Sequence, residues 1–267
     1  MFWGGQNKLT NKISNLRAIQ EGSHIVKLYE EYYEQNKYCY LVLELMEGGE
    51  LFDWIIKKRT FSEMEAREVT RCMLEALNDM HSKRVVHWDL KPENLLLLVS
   101  TNGELQNNLL WSPYVDGLDM IVSPIALQSK GSDTDIKLAD FGFAKKIFIF
   151  NSCLTLFGTP GYLSPEILKR WPSYNTKCDL RSVGVILFLL LGRYLPFEGE
   201  DEDKVFERTH NGMYEFLFHC WGGVSNKAME LVTKLLTINP SKQFLAQQAL
   251  NHNIWWTWMN KPFNNKV

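Results

Sequence analysis

The stretch Val85-Val86-His87-Trp88-Asp89-Leu90-Lys91-Pro92-Glu93-Asn94-Leu95-Leu96 decides how this chain is read, because it sets a carboxylate, an ammonium and an amide within one short loop. That grouping suits phosphoryl transfer. Asp89 has the chemistry to accept the proton of an attacking hydroxyl and Lys91 to neutralise charge on the moving phosphoryl group. Asn94, five residues past Asp89, can hold a Mg²⁺. Downstream, Asp140-Phe141-Gly142 supplies a second carboxylate for the metal.

Around this loop the composition is that of a globular protein. Of 267 residues, 45% are hydrophobic and 22% charged, enough to bury one large core or two lobes. A formal net charge of −2 gives no bulk attraction to nucleic acid or to an anionic membrane, so neither is expected as a partner. The five cysteines, Cys39, Cys72, Cys153, Cys178 and Cys220, show no C-x-x-C spacing. They read as reduced thiols of a cytoplasmic or nuclear protein, without a zinc site or disulfide framework. Met1 to Lys8 has no apolar core of a secretory signal. The apolar run Val183 to Leu191 is far shorter than the roughly 20 residues of a membrane span, and reads as a helix buried on all sides.

Apolar residues Ile13, Leu16 and Ile19 predict a helix over about 9–20, ended by Glu21-Gly22-Ser23. Ile25 to Tyr33 and Lys37 to Leu45 read as strands, and Glu50 to Lys58 as a short helix. Ser62-Glu63-Met64-Glu65 is a capping box that opens a helix running to about His81, with Ala66, Val69, Met73, Leu77 and Met80 as its buried stripe. Beyond Glu166 the periodicity is mainly helical. The segment from about Val99 to Thr134 is polar and aperiodic, and reads as a disordered or accreted insertion.

The loop motif with Asp140-Phe141-Gly142 resembles the H-R-D-L-x-x-x-N and D-F-G pattern of eukaryotic protein kinases, with Trp88 in place of the Arg. Phe157 to Glu166 looks like the end of a kinase activation segment, and Asp179 with Ser182 to Leu187 like the buried helix that anchors the catalytic loop. Gly48-Gly49-Glu50-Leu51-Phe52-Asp53 and Asp140 to Lys146 are most similar to the calcium/calmodulin-dependent group of Ser/Thr kinases. The resemblance implies an α+β kinase-like fold with a mainly helical C-lobe over 47–258, a tail over 259–267, and a partial N-lobe over 1–46 that lacks the first three strands. It implies packing of Leu16, Leu28, His87 and Phe141 in a column onto Asp179.

The same resemblance implies ATP and Mg²⁺ as cofactors, with Asp89 and Lys91 catalytic and Asn94 and Asp140 holding metal. Glu44 and Met46 would offer backbone groups to adenine beside Glu50, with Leu96 under the ring. Glu50, Glu93 and Glu207 would receive basic residues of a protein substrate through charge-assisted hydrogen bonds. Thr159 would help to seat the target hydroxyl, and Thr155 would be the regulatory phosphosite.

Several positions depart from the pattern. The sequence holds no glycine-rich phosphate loop and no strand lysine of the V-A-I-K type, and Lys12 or, with a one-residue slip, Ile13 falls at the helix position where the family has glutamate; neither can pair with a lysine. Arg181 replaces a Trp, and Gln243 replaces an Arg that pairs with the glutamate matching Glu166. The family reaction is therefore phosphoryl transfer from ATP to protein Ser or Thr, with this polypeptide expected to be inactive or severely impaired. The alternatives are a non-catalytic scaffold whose partner covers the incomplete N-lobe, and a truncated gene model of an active basophilic kinase.

Overall fold

The computed structural model describes residues 13–34, 38–98, 134–142, 144–146, 160–162, 164–165 and 176–255. Helix α1 (13–19) buries Ile13, Leu16 and Ile19, as the three-residue spacing requires. Strands β1 (Leu28–Glu34) and β2 (Tyr38–Leu43) form an antiparallel pair, with a register shift between Leu28 and Glu30. β1 starts later than its apolar run suggests because Ile25 and Val26 pair elsewhere. Ile25 bridges Leu138, and the Val26 amide donates to the Leu138 carbonyl at 3.0 Å.

Helix α2 (Leu51–Lys58) is followed by α3 (Glu63–Ser82), whose N-terminus carries the predicted box. The Glu65 amide donates to Ser62 Oγ at 3.2 Å, and the Ser62 amide to Glu65 Oε2 at 2.9 Å. Each bond meets an N–H that the first helical turn cannot use. All five stripe residues are buried. Glu63 also receives the Ser225 amide at 2.9 Å and the Ser225 hydroxyl at 2.6 Å. That joins the start of α3 to the helix that Ser225 caps.

Short strands then alternate with the two motif loops: β3 (Val85–Val86), β4 (Leu95–Leu97), β5 (Ile136–Leu138) and β6 (Lys145–Lys146). β3 pairs antiparallel with β6, and β4 with β5. Residues 87–94 lie between β3 and β4, and 139–144 between β5 and β6, so the two pairings hold the motif loops side by side. Thr134, at the end of the polar segment, is buried, and its hydroxyl donates to Glu68 Oε2 at 2.5 Å. The rest of the 99–134 segment lies outside the described residues, as do Lys12 and Glu166.

Helix α4 (Lys177–Gly192) is buried over nearly its whole circumference, in agreement with its unbroken apolar run. It packs on α3 and on α7 (Asn226–Leu235). Helices α5 (Glu202–Asn211), α6 (Phe218–Trp221) and α8 (Ala246–Leu250) complete the described body. The fold is the predicted α+β arrangement: a small hairpin and one helix beside a helical mass. No helix among the described residues is long and apolar enough to cross a membrane.

Candidate functional site

The site is built around a buried carboxylate. Asp179, in the first turn of α4, accepts the amides of His87 at 3.0 Å and Trp88 at 2.9 Å, and His81 Nε2 lies 2.8 Å from it. Burial pushes its pKa up, but the His81 hydrogen bond and the fields of His81 and His87 outweigh that and hold it below the ordinary carboxylate range. The anchored backbone includes Trp88 at φ 68°, a left-handed conformation that bulky residues rarely adopt.

The two motif loops are stitched together above this anchor. His87 Nε2 donates to the Ala139 carbonyl at 3.0 Å, and the His87 and Phe141 rings meet edge to face with centroids 5.3 Å apart. Leu16, Leu28 and Phe141 belong to the main buried core cluster, and His87 links that core to Asp179 through its ring contact with Phe141 and its amide bond. Asn15 joins α1 to the same place, its amide donating to the Ala144 carbonyl at 3.0 Å. Sequence reasoning missed Asn15 because a lone polar residue on a helix carries no signal of its partner.

Within the loop, Asn94 donates through Nδ2 to the Asp89 carbonyl at 2.7 Å and to Asp89 Oδ2 at 3.3 Å. Lys91 Nζ lies 3.5 Å from the same carboxylate oxygen. Asp89 is 8% exposed and Asn94 7%, so both are fixed by packing as well as by these bonds. The bonds to Asn94 use only its nitrogen, which leaves its oxygen as the atom for a cation. Asp140 is exposed at φ 52°, its Oδ1 accepting the Gly142 amide at 3.1 Å. The Ala139 amide donates to the Asn94 carbonyl at 2.9 Å, which sets Asp140 one residue from Asn94's immediate neighbour. An all-oxygen pair of one amide and one carboxylate fits Mg²⁺, which takes few protein ligands and keeps the rest for phosphate and water.

Beside the loops, Val26, Met46 and Leu96 form a separate buried apolar cluster, with Leu43, Leu98 and Ala139 packed against it. The structure thus brings together Met46 and Leu96, an apolar face of the chemistry that an adenine ring takes. Glu44 is less free than the sequence suggests. Its amide donates to the Lys27 carbonyl at 2.8 Å, and its carboxylate pairs with Lys137 Nζ at 2.6 Å. Only its carbonyl is then left to face a base.

Glu50, at the start of α2, bridges Leu96. Burial raises its pKa, Asp53 and Glu93 add to the rise, and Lys91 pulls it partly back. Glu93 Oε2 is buried with no hydrogen-bond partner among the described residues. Glu50 and Glu93 therefore form one acidic locus next to Lys91. Glu207 sits on α5 in an exposed pair with Lys204 at 2.7 Å. Thr155 and Thr159 lie outside the described residues.

The departures are accommodated individually. Arg181 is 1% exposed, yet its guanidinium donates to the Leu236 carbonyl at 2.8 Å and the Thr209 carbonyl at 3.1 Å, and stacks 4.7 Å from the Phe197 ring centroid. Gln243 donates to the carbonyls of Leu235 at 2.7 Å and Lys177 at 3.1 Å. Both buried polar groups have partners of the right type.

A family model described as "Protein kinase domain" matches residues 3–255. Calcium-dependent protein kinase 5 of Plasmodium falciparum (isolate 3D7) is 36% identical over 244 residues, covering 91% of this chain and 36% of that protein. Calcium/calmodulin-dependent protein kinase type 1 of Caenorhabditis elegans is 34% identical over 249 residues, covering 93% and 62%. The type II alpha chain of Drosophila melanogaster is 37% identical over 230 residues, covering 86% and 37%. The chain thus spans less than two thirds of the length of these curated relatives.

Proposed function

Given that the chain belongs to the protein kinase family, in its calcium/calmodulin-dependent-kinase-like group, we propose that it carries the acceptor and metal side of a protein Ser/Thr phosphotransfer site, with transfer by this polypeptide severely impaired. The observation that carries the reading is the Asp89–Asn94–Lys91 arrangement, with Asn94 bonded to Asp89 and Lys91 beside the same carboxylate. Asp89 takes the proton of the incoming hydroxyl, and its amide and ammonium neighbours hold it in place. Lys91 offsets negative charge that builds on the acceptor side. Bound ATP would supply the phosphoryl group and Mg²⁺ the charge neutralisation, with Asn94 and Asp140 as metal ligands and Met46, Leu96 and the Glu44 carbonyl against the base. The Glu50–Glu93 locus favours a substrate with Arg or Lys near the acceptor, through charge-assisted bonds.

Impairment is supported by two positions inside the matched region. Trp88 offers no cation to an activation-segment phosphate, and Lys12 cannot pair with a strand lysine. A second reading, a non-catalytic kinase-like scaffold, is favoured by Arg181 and Gln243. Each donates to two backbone carbonyls, which supports a fold that holds without the family's usual residues.

The test is a transfer assay on the purified chain with Mg²⁺-ATP and a basic Ser-containing peptide, beside Asp89→Asn and Asp140→Ala. The reading expects Mg²⁺-ATP to raise the melting temperature of the native sequence but not of Asp140→Ala, with slow transfer abolished by Asp89→Asn. Rapid transfer would overturn the impairment. Transfer indifferent to Asp89→Asn would overturn the assigned base, and absent stabilisation by Mg²⁺-ATP would leave the scaffold reading.

A further inference from the structure

We propose that His24, Cys72 and Asp135 form a binding site for a borderline-soft divalent ion such as Zn²⁺, beside the start of β5. Their ligand atoms all lie within 4.8 Å of one another. A tetrahedral Zn²⁺ holds its ligands at about 2.0–2.3 Å, which sets them roughly 3.5 Å apart, so small side-chain rotations close the shell. The mixture of imidazole, thiolate and carboxylate selects Zn²⁺ or Co²⁺ over Mg²⁺, which prefers oxygen alone.

Three segments are locked into place before any ion arrives. The backbone of His24 is fixed to β5, its carbonyl accepting the Leu138 amide at 2.9 Å. Cys72 projects from α3, which packs on β5, and its Sγ lies 4.0 Å from the Thr134 carbonyl. Asp135 is the residue before β5.

The electrostatics call for positive charge here. His24 Nε2 lies 3.1 Å from Glu75 Oε2, while Nδ1 lies 3.0 Å from the Ile136 carbonyl and 3.5 Å from Asp135 Oδ1. A neutral imidazole has a single N–H, so one of its nitrogens turns a lone pair toward oxygen. Placing the hydrogen on Nε2 lets it donate to Glu75, the carboxylate–histidine relay that orients metal-ligating histidines, and aims the Nδ1 lone pair at the cluster. An ion at that point converts a repulsive convergence into ligation.

Cys72 fits the same account. Its Sγ is one of the three converging ligand atoms, and the helix that carries it packs directly on β5. Binding an ion deprotonates a coordinating thiol outright, and the proton leaves to solvent. The cysteine spacing gives no hint of this, because the ligands come from distant parts of the chain and only one of them is a cysteine.

Co²⁺ titration of the purified chain tests the site independently of any transferase activity. The expected result is one equivalent bound, with a thiolate-to-cobalt charge-transfer band that Zn²⁺ displaces and Mg²⁺ does not. Cys72→Ser should abolish the band, Cys220→Ser should leave it, and Glu75→Gln should weaken binding about 10- to 100-fold. If Cys72→Ser does not fold, Zn²⁺ protection of Cys72 from alkylation in the native sequence, mapped by mass spectrometry, answers the same question. No charge-transfer band, a band that survives Cys72→Ser, or alkylation of Cys72 at the same rate with and without Zn²⁺ would overturn the site.

Discussion

Asp179 accepts the Trp88 amide at 2.9 Å, and this bond holds the loop from His87 to Asn94 in a backbone conformation that Trp88 would not choose. A left-handed conformation costs an L-residue about 1–2 kcal/mol. A charge-assisted hydrogen bond to a buried carboxylate can offset it. Because Asp179 also takes the His87 amide, one side chain of α4 fixes two successive residues of the loop, and Asp89 follows directly from them.

Replacing Asp179 with Ala strands both amides and His81 without their acceptor. The expected loss is about 3–5 kcal/mol, the range for removing one partner of a buried charged pair. The pH dependence has a definite sign. The folded pKa is depressed, so the carboxylate's contribution is complete above the unfolded value near 3.9 and disappears as pH falls through the folded value. Denaturant titrations of the native sequence and Asp179→Asn should therefore show a gap at pH 7 that narrows in acid. A gap that stays constant down to pH 2 would assign the loss to packing alone.

Gly184 sits at a close approach of α4 to α7. A Cβ added there would lie 2.9 Å from Leu235 Cβ and 2.9 Å from Leu236 Cδ2. Leu235 is wholly buried and has no room to retreat. Gly184→Ala should cost about 1–3 kcal/mol by overpacking, although Ala is the better helix former. Thermal unfolding reads this directly, and an unchanged or raised melting temperature would mean that the two helices separate readily.

The larger elements were legible because each carries a period or a cap. Ser62 and Glu65 announce α3, the unbroken run from Val183 announces a helix buried all round, and the loop from His87 to Asn94 announces its neighbours. The two- and three-residue strands β3 to β6 were not legible, since nothing in Val85-Val86 or Ile136-Lys137-Leu138 sets them apart until their partners are known. Pairing with β5 also shortened β1 from the run that the sequence displays. In the site, residue types located Asp89, Lys91, Asn94 and Asp140, but the ion pair of Glu44 with Lys137 and the bond from Asn15 to Ala144 arise only from tertiary contact. The exposed pair of Glu207 with Lys204 on α5 is likewise a contact that order along the chain does not disclose.

Arg181 joins α4 to α5 and to the residue after α7 by its two carbonyl bonds. Truncation to Ala leaves those acceptors bare and opens a void beside Phe197, with an expected cost of about 3–5 kcal/mol. Arg181→Met, which keeps most of the volume and removes the buried charge, should cost less than half as much. The comparison is made by denaturant unfolding of both variants. Equal losses would show that the bonds, not the packing, hold the three helices.

A phosphate on Thr155 would meet no cation at position 88, where this sequence has Trp. Asp179 fixes the backbone at this position whatever the side chain, so Trp88→Arg should preserve the loop and add a guanidinium beside Asp89. A phosphate on Thr155 would then find a partner for one or more charge-assisted hydrogen bonds, each about 1.5–3 kcal/mol. In the native sequence the phosphate has no such partner at residue 88. Phosphothreonine installed at 155 should leave the melting temperature of the native protein nearly unchanged and raise that of Trp88→Arg. An equal rise in both proteins would mean that another cation receives the phosphate, and that the loss of the arginine at 88 did not disable the switch.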